Sequence, residues 1–180
     1  MTDNIKMNGK ERREYIYKLL QNQSGPIPGK TLAEETGVSR QVIVTDIALL
    51  KTGDIPIIGT NRGYLLVDES APDQMEKRII VCQHTPAETR EELEAIVDSG
   101  VTVVNTVVEH PFYGEITGNL MVKSRYDVDA FIQLMDQAEA GLLSELTDGV
   151  HIHTIEADDP AKLDSACRKL AQLGILVKDE

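Results

Sequence analysis

Leu32-Ala33-Glu34-Glu35-Thr36-Gly37-Val38-Ser39-Arg40-Gln41-Val42-Ile43-Val44-Thr45-Asp46-Ile47 has the spacing of two short helices that meet across a tight turn. Ala33 is small where two helices cross, Gly37 admits a positive φ, and Ser39 is a favoured N-cap. Ile43 and Ile47 lie one turn apart and face inward with Leu50, which sends Arg40, Gln41, Val44 and Thr45 outward from the N-terminal half of that helix. Upstream, Lys10 to Gln21 is an amphipathic helix, with Tyr15, Ile16, Leu19 and Leu20 on one face and Glu11, Arg12, Arg13 and Lys18 elsewhere. It ends before Ser24-Gly25-Pro26, and a second helix runs from Lys30 to Thr36. Downstream, Ile55 to Ile58, the turn Gly59-Thr60-Asn61-Arg62-Gly63 and Tyr64 to Val67 predict strand, turn and strand.

A helix-turn-helix followed by a hairpin suits double-stranded DNA. Arg pairs two acceptors of guanine, Gln does so with adenine, and Val or Thr methyls meet a thymine methyl. Ser39, Arg40, Gln41, Val44 and Thr45 are therefore the expected groove-facing positions, with Asn61 and Arg62 at the tip of a wing that reaches the backbone or minor groove. The competing reading is a helix-turn-helix used only for protein contacts, its Arg40 and Gln41 merely solvated. The segment from residue 8 to 67 resembles the winged-helix domain at the front of bacterial biotin-repressor-type regulators, which implies a DNA-binding regulator. The chain lacks the Gly-Arg-Gly-Arg-type loop and the length of a biotin ligase.

Composition sets the frame around this motif. The 180 residues suit two small domains, with 41% hydrophobic residues to build cores. The formal charge of −12 argues against a generally basic nucleic-acid binder, but it is unevenly placed. Residues 1–70 hold 9 Lys+Arg against 9 Asp+Glu, and residues 71–180 hold 9 against 21, so phosphate contact is expected only in the first segment. No apolar run approaches a membrane span and the N-terminus lacks a signal-peptide hydrophobic region, so a soluble, cytoplasmic chain with no membrane partner is expected. Cys82 and Cys167 are isolated and read as reduced structural thiols. The polar, proline-containing stretch Asp68 to Asp73 reads as a linker, which divides the chain into domains 1–70 and 71–180.

In the second domain a strand is expected at Arg78 to Gln83. A helix follows from Pro86 to Ser99, opened by a Thr85/Glu88 capping box and closed by Gly100. A hairpin comes next (Val101 to Glu109, Glu115 to Val122), then a helix at Tyr126 to Glu139, a strand at Val150 to Glu156, and a helix at Pro160 to Leu173. The order β-α-β-β-α-β-α predicts a two-layer α/β sandwich with helices on one face. The expected fold class is thus α+β, a winged helix-turn-helix followed by this sandwich.

All four histidines fall in this domain. His151 and His153 are two apart on a strand and project from one face, a chelating geometry, while Val150 and Ile152 face the other side. His84, where the first strand hands over to a helix, is positioned to add a third nitrogen, and Glu88, Glu91 and Glu92 offer carboxylates on that helix. Imidazole with carboxylate and no thiolate fits zinc, manganese, iron, nickel or cobalt. Taken singly, a His-x-His pair, a wet glutamate face and a turn histidine at His110 are each explained by solvation and hydrogen bonding.

Three stretches read together resemble the three-histidine (3H) small-molecule-binding domain: His84-x-Pro86, Val108 to Ile116 and Gly149 to Glu156. The likeness spans roughly residues 75–177 and, joined to the winged helix, is similar to the bacterial nicotinate-responsive repressors of NAD biosynthesis and niacin uptake. It implies an HPr-like topology and no enzymatic activity. It also implies a divalent transition metal held by His84, His151, His153 and Glu92, with nicotinic acid as corepressor and a homodimer that binds operator DNA. Its His-Pro-x-Tyr-Gly element maps onto His110, Pro111, Tyr113 and Gly114, which assigns His110 and Tyr113 to the effector pocket; Phe112 stands where an aliphatic residue is more usual. Two other readings are a metal sensor without a nicotinate effector, and a metal-dependent hydrolase, for which no nucleophile motif or phosphate loop is present.

Overall fold

The structure is a computed structural model that describes residues 7–67, 75–138 and 141–178. The expected linker, 68–73, lies outside the described residues, as does the end of the helix expected to reach Glu139. The fold is α+β, and the chain divides into two compact units, Met1–Pro72 and Asp73–Glu180.

The first unit contains α1 (Gly9–Asn22), α2 (Gly29–Thr36), α3 (Arg40–Lys51), β1 (Ile57–Thr60) and β2 (Gly63–Leu66). Asn8 and Glu11 form a capping box at the start of α1. Gly37, at φ +67°, ends α2, and Ser39 caps α3 by accepting from Val42 N. Ile16, Leu20, Leu32, Ile43, Ile47 and Ile57 form the core. Arg12 and Arg13, off the apolar face of α1, reach the buried Asp46 carboxylate of α3 at 2.5 and 3.3 Å. The hairpin is tighter than expected, with only Asn61 and Arg62 in the turn, because Thr60 Oγ1 accepts from Arg62 N and donates to Gly63 O. Gly63 (φ +133°) is required there, since a Cβ would stand 2.1 Å from Ile27 O, which bonds Tyr64 N alongside.

The second unit contains β3 (Glu76–Gln83), α4 (Thr89–Val97), β4 (Thr102–His110), β5 (Gly114–Val122), α5 (Arg125–Gln137), β6 (Val150–Ala157) and α6 (Pro160–Gln172). The expected helix from Pro86 opens with a 3-10 turn, Pro86–Glu88, before α4, and a second 3-10 segment, Leu143–Thr147, precedes β6. The sheet order is β3-β6-β4-β5, all antiparallel. Ile80, Val103, Leu120 and Ile155 on one face pack with Leu93 and Ile96 of α4, Val128 of α5 and Leu163 and Leu170 of α6. Ile79, Val81 and Val150 on the opposite face are exposed. A bulge in β4 between Val103 and Asn105 shifts its register against β6, so that Asn105 pairs with Thr154 and Thr106 with His153.

Candidate metal centre and helix-turn-helix face

The parity of β6 places His151 and His153 on the inner face, where they are 3% and 2% exposed. His84 enters from the end of β3, and Glu92 enters from the first turn of α4 at 1% exposure. His84 Nε2 lies 2.7 Å from Glu92 Oε2, while His151 and His153 Nε2 lie 3.1 and 3.4 Å from Oε1. The two strand imidazoles approach Nε2 to Nε2 at 3.1 Å. Each ring is held from behind: the Nδ1 atoms of His84, His151 and His153 meet the carbonyls of Thr85, Gly149 and Asn105 at 2.7, 2.9 and 2.7 Å. A carbonyl only accepts, so each Nδ1 donates, and every Nε2 is turned inward toward Glu92. Metal-ligating histidines are oriented in this way.

The separations also suit an ion. Ligand atoms about 2.0–2.1 Å from a tetrahedral ion stand about 3.3 Å from one another. The distances of 3.1, 3.1 and 3.4 Å among His151, His153 and Glu92 Oε1 match that edge. Gly149 holds the arrangement together: at φ +85° it brings its backbone so close to His84 that a Cβ would lie 2.3 Å from His84 O.

Burial is the largest single influence on Glu92, His84 and His153 and disfavours charge on each of the three. In Glu92 it is overcome by the charge of His153 and by hydrogen bonds from His151, His153 and His84, so the carboxyl is held well below its ordinary range. In His84 and His153 the pull of burial is outweighed by the charge of Glu92 and the hydrogen bond to it, so both titrate above the ordinary imidazole value. Without a cation, shared protons hold the cluster together.

Sequence reasoning missed Cys82. Paired opposite His151 on β3, its Sγ lies with a Glu92 oxygen and a His151 nitrogen inside a 4.8 Å cluster. Burial, then the charge of Glu92 and a hydrogen bond to it, pushes the thiol far up, so it stays protonated and donates to the carboxylate. A cation held there would meet sulfur as well as nitrogen and oxygen. No sequence spacing links Cys82 to Glu92; strand register sets Cys82 opposite His151, and α4 brings Glu92 to the pair.

Glu88 engages Thr85 N and Oγ1 at 2.9 and 2.7 Å as a cap, and Glu91 is exposed, so neither joins the cluster. The structure does not bring His110 and Tyr113 to it either. His110 Nδ1 accepts from Phe112 N at the β4–β5 turn, Tyr113 beside it is 79% exposed, and neither lines the cavity at the histidines. Thr106 is the β4 residue opposite His153, and His110 lies four residues, about 13 Å, further along the strand. That cavity, about 40 Å³, is bounded by Thr89, Leu93, Leu120, Phe131 and the segment 142–144. On the far side of His84 and Ser144 an open cleft of about 450 Å³ is bordered by Thr85, Glu88, Glu145, Asp148 and Gly149.

In the first unit, Ser39, Arg40, Gln41, Val44 and Thr45 are exposed on α3 and its cap. Asn61 and Arg62 are half-buried and line a cleft of about 720 Å³ together with Lys30 and Arg40. Three cationic side chains thus border a groove between the helix pair and the hairpin.

The family model described as 3H domain matches residues 77–179, and that described as HTH domain matches residues 12–65. The chain is 46% identical over 180 residues to the "Transcription repressor NadR" of Bacillus subtilis (strain 168), covering 99% of this chain and all of that protein. It is 40% identical over 169 residues to the "Probable transcription repressor NiaR" of Thermotoga maritima, covering 94% and 95% of the two chains. Among the described residues no helix is long and apolar enough to cross a membrane.

Proposed function

The chain belongs to the 3H-domain family of helix-turn-helix transcription repressors, and from that premise we propose that it represses genes of NAD biosynthesis and niacin uptake, with nicotinic acid as corepressor at a divalent-metal site. It binds DNA as a repressor and is not an enzyme. The observation that carries the proposal is the convergence of three Nε2 atoms on Glu92, each ring fixed from behind by a backbone carbonyl. His84, His151, His153 and Glu92 would hold the ion, which when bound supplies a Lewis-acidic position for a pyridine nitrogen or carboxylate. The protein's own part is to keep the imidazoles oriented, exclude bulk water and bound the ring with Leu93, Leu120 and Phe131.

At about 40 Å³ the cavity has room for an ion or a water but not for a ring. Entry of nicotinate therefore requires the 142–144 segment to shift, joining the cavity to the cleft across Ser144. Such a movement inside the acidic unit is what a homodimer converts into altered spacing of two DNA-reading helices. Ser39, Arg40, Gln41, Val44 and Thr45 would contact the groove, and Asn61 and Arg62 the flanking backbone.

A site selected from random duplex DNA with the zinc-loaded protein, then titrated with protein with and without nicotinate, tests the reading. Tighter binding with nicotinate is expected, and an unchanged affinity overturns it. If metal added back to stripped protein alone restores full binding, the ion itself is the signal.

A further inference from the structure

We propose that Thr89 is a specificity-determining residue whose hydroxyl donates to the carboxylate of the metal-bound effector. This rests on reading the cavity at the histidines as the effector pocket. Thr89 is 5% exposed and lines that cavity, yet its Oγ1 has no hydrogen-bond partner. A threonine hydroxyl in a helix ordinarily turns back to the carbonyl four residues earlier. Here that acceptor, Thr85 O, is already taken by His84 Nδ1 at 2.7 Å and Glu88 N at 3.0 Å. The same contact that orients His84 for a cation therefore leaves Thr89 with an unused donor.

Buried polar groups without partners are rare and costly, and they persist where a ligand satisfies them. Position adds chemistry to the vacancy in bonding. Thr89 precedes Glu92 by three residues on α4, so the two side chains stand about one turn, roughly 5 Å, apart on the face that lines the cavity. A ring nitrogen and a meta carboxylate are separated by a similar span, so a pyridine nitrogen directed at the ion beside Glu92 brings its carboxylate to Thr89. The remaining walls near Thr89, Leu93 and Phe131, are apolar and suit the ring edges. The ligand class is a planar heteroaromatic acid with nitrogen and carboxylate in meta relation.

The test compares the full-length wild type with Thr89→Val, which keeps the shape and removes the hydroxyl, and Thr89→Ser, which keeps the hydroxyl. Urea unfolding of the metal-free proteins, zinc content after loading, and calorimetric titration of nicotinate into the zinc-loaded proteins are the readouts. The valine variant is expected to unfold at an equal or higher urea midpoint, to retain stoichiometric zinc, and to bind nicotinate about 10- to 100-fold more weakly. The serine variant is expected to bind close to wild type. Wild-type affinity in Thr89→Val, or a lowered urea midpoint that reveals a structural partner for the hydroxyl, overturns this assignment alone. Failure of the zinc-loaded wild type to bind nicotinate overturns it together with the effector reading.

Discussion

Replacing Glu92 by Gln isolates the charge at the hub of the histidine cluster while nearly preserving its shape. The carboxylate is 1% exposed and its oxygens lie 2.7, 3.1 and 3.4 Å from three imidazole nitrogens. At an effective dielectric of about 20, one imidazolium at 2.7 Å is attracted by about 6 kcal/mol before desolvation is counted. Removing one partner of a buried pair leaves a net loss of about 3–5 kcal/mol. The histidines can escape that loss by releasing protons, which makes it depend on pH. His84 and His153 titrate above their ordinary value in the folded protein, so their stabilising contribution is complete below about pH 6.5 and disappears as pH rises through the folded values. Glu92 titrates below its ordinary value, so its contribution is complete above about pH 4.3 and is lost as pH falls through the folded value. The metal-free wild type should therefore be most stable between about pH 4.3 and 6.5. The Glu92→Gln variant should lose about 3 kcal/mol near pH 6 and little near pH 9. Urea unfolding of the chelator-treated full chain, followed by circular dichroism, reads the transition of the second unit. A loss of equal size at both pH values, or a larger one at pH 9, would refute the proton-sharing account of the cluster.

Gly149→Ala should lower stability by about 2 kcal/mol or more and zinc affinity by at least about 10-fold, because φ +85° strains any side chain and the new Cβ meets His84 O at 2.3 Å. Zinc titration with a chromophoric competitor checks it, and unchanged affinity would show that the His84–Gly149 approach does not set the site. Asp46→Ala should destabilise the first unit by about 2 kcal/mol by removing the buried acceptor shared by Arg12 and Arg13, read from a shifted urea midpoint in that unit's transition. Arg40→Ala should weaken binding to a selected duplex by about 1–3 kcal/mol and flatten preference at one base step. A uniform loss across sequences would make Arg40 a backbone contact.

The first unit was almost wholly legible from the chain because its decisive features are local. Gly37, the Ser39 cap and the inward Ile43–Ile47 pair act within a few residues of one another. The two-residue period of β6 likewise showed that His151 and His153 share a face, and the β-α-β-β-α-β-α order followed from apolar runs and punctuating glycines. Tertiary structure was needed wherever the partner is distant in sequence. Three glutamates lie close together on one stretch, and only the packing of α4 buries Glu92 while leaving Glu91 in water and Glu88 at a cap. Strand register puts Cys82 opposite His151, Asn105 O meets His153 Nδ1 beside a bulge, and about 13 Å of β4 separates His110 from the cavity. Periodicity reports which face a side chain leaves from, but which groups meet across that face depends on register, helix phase and bulges set by the whole packed unit.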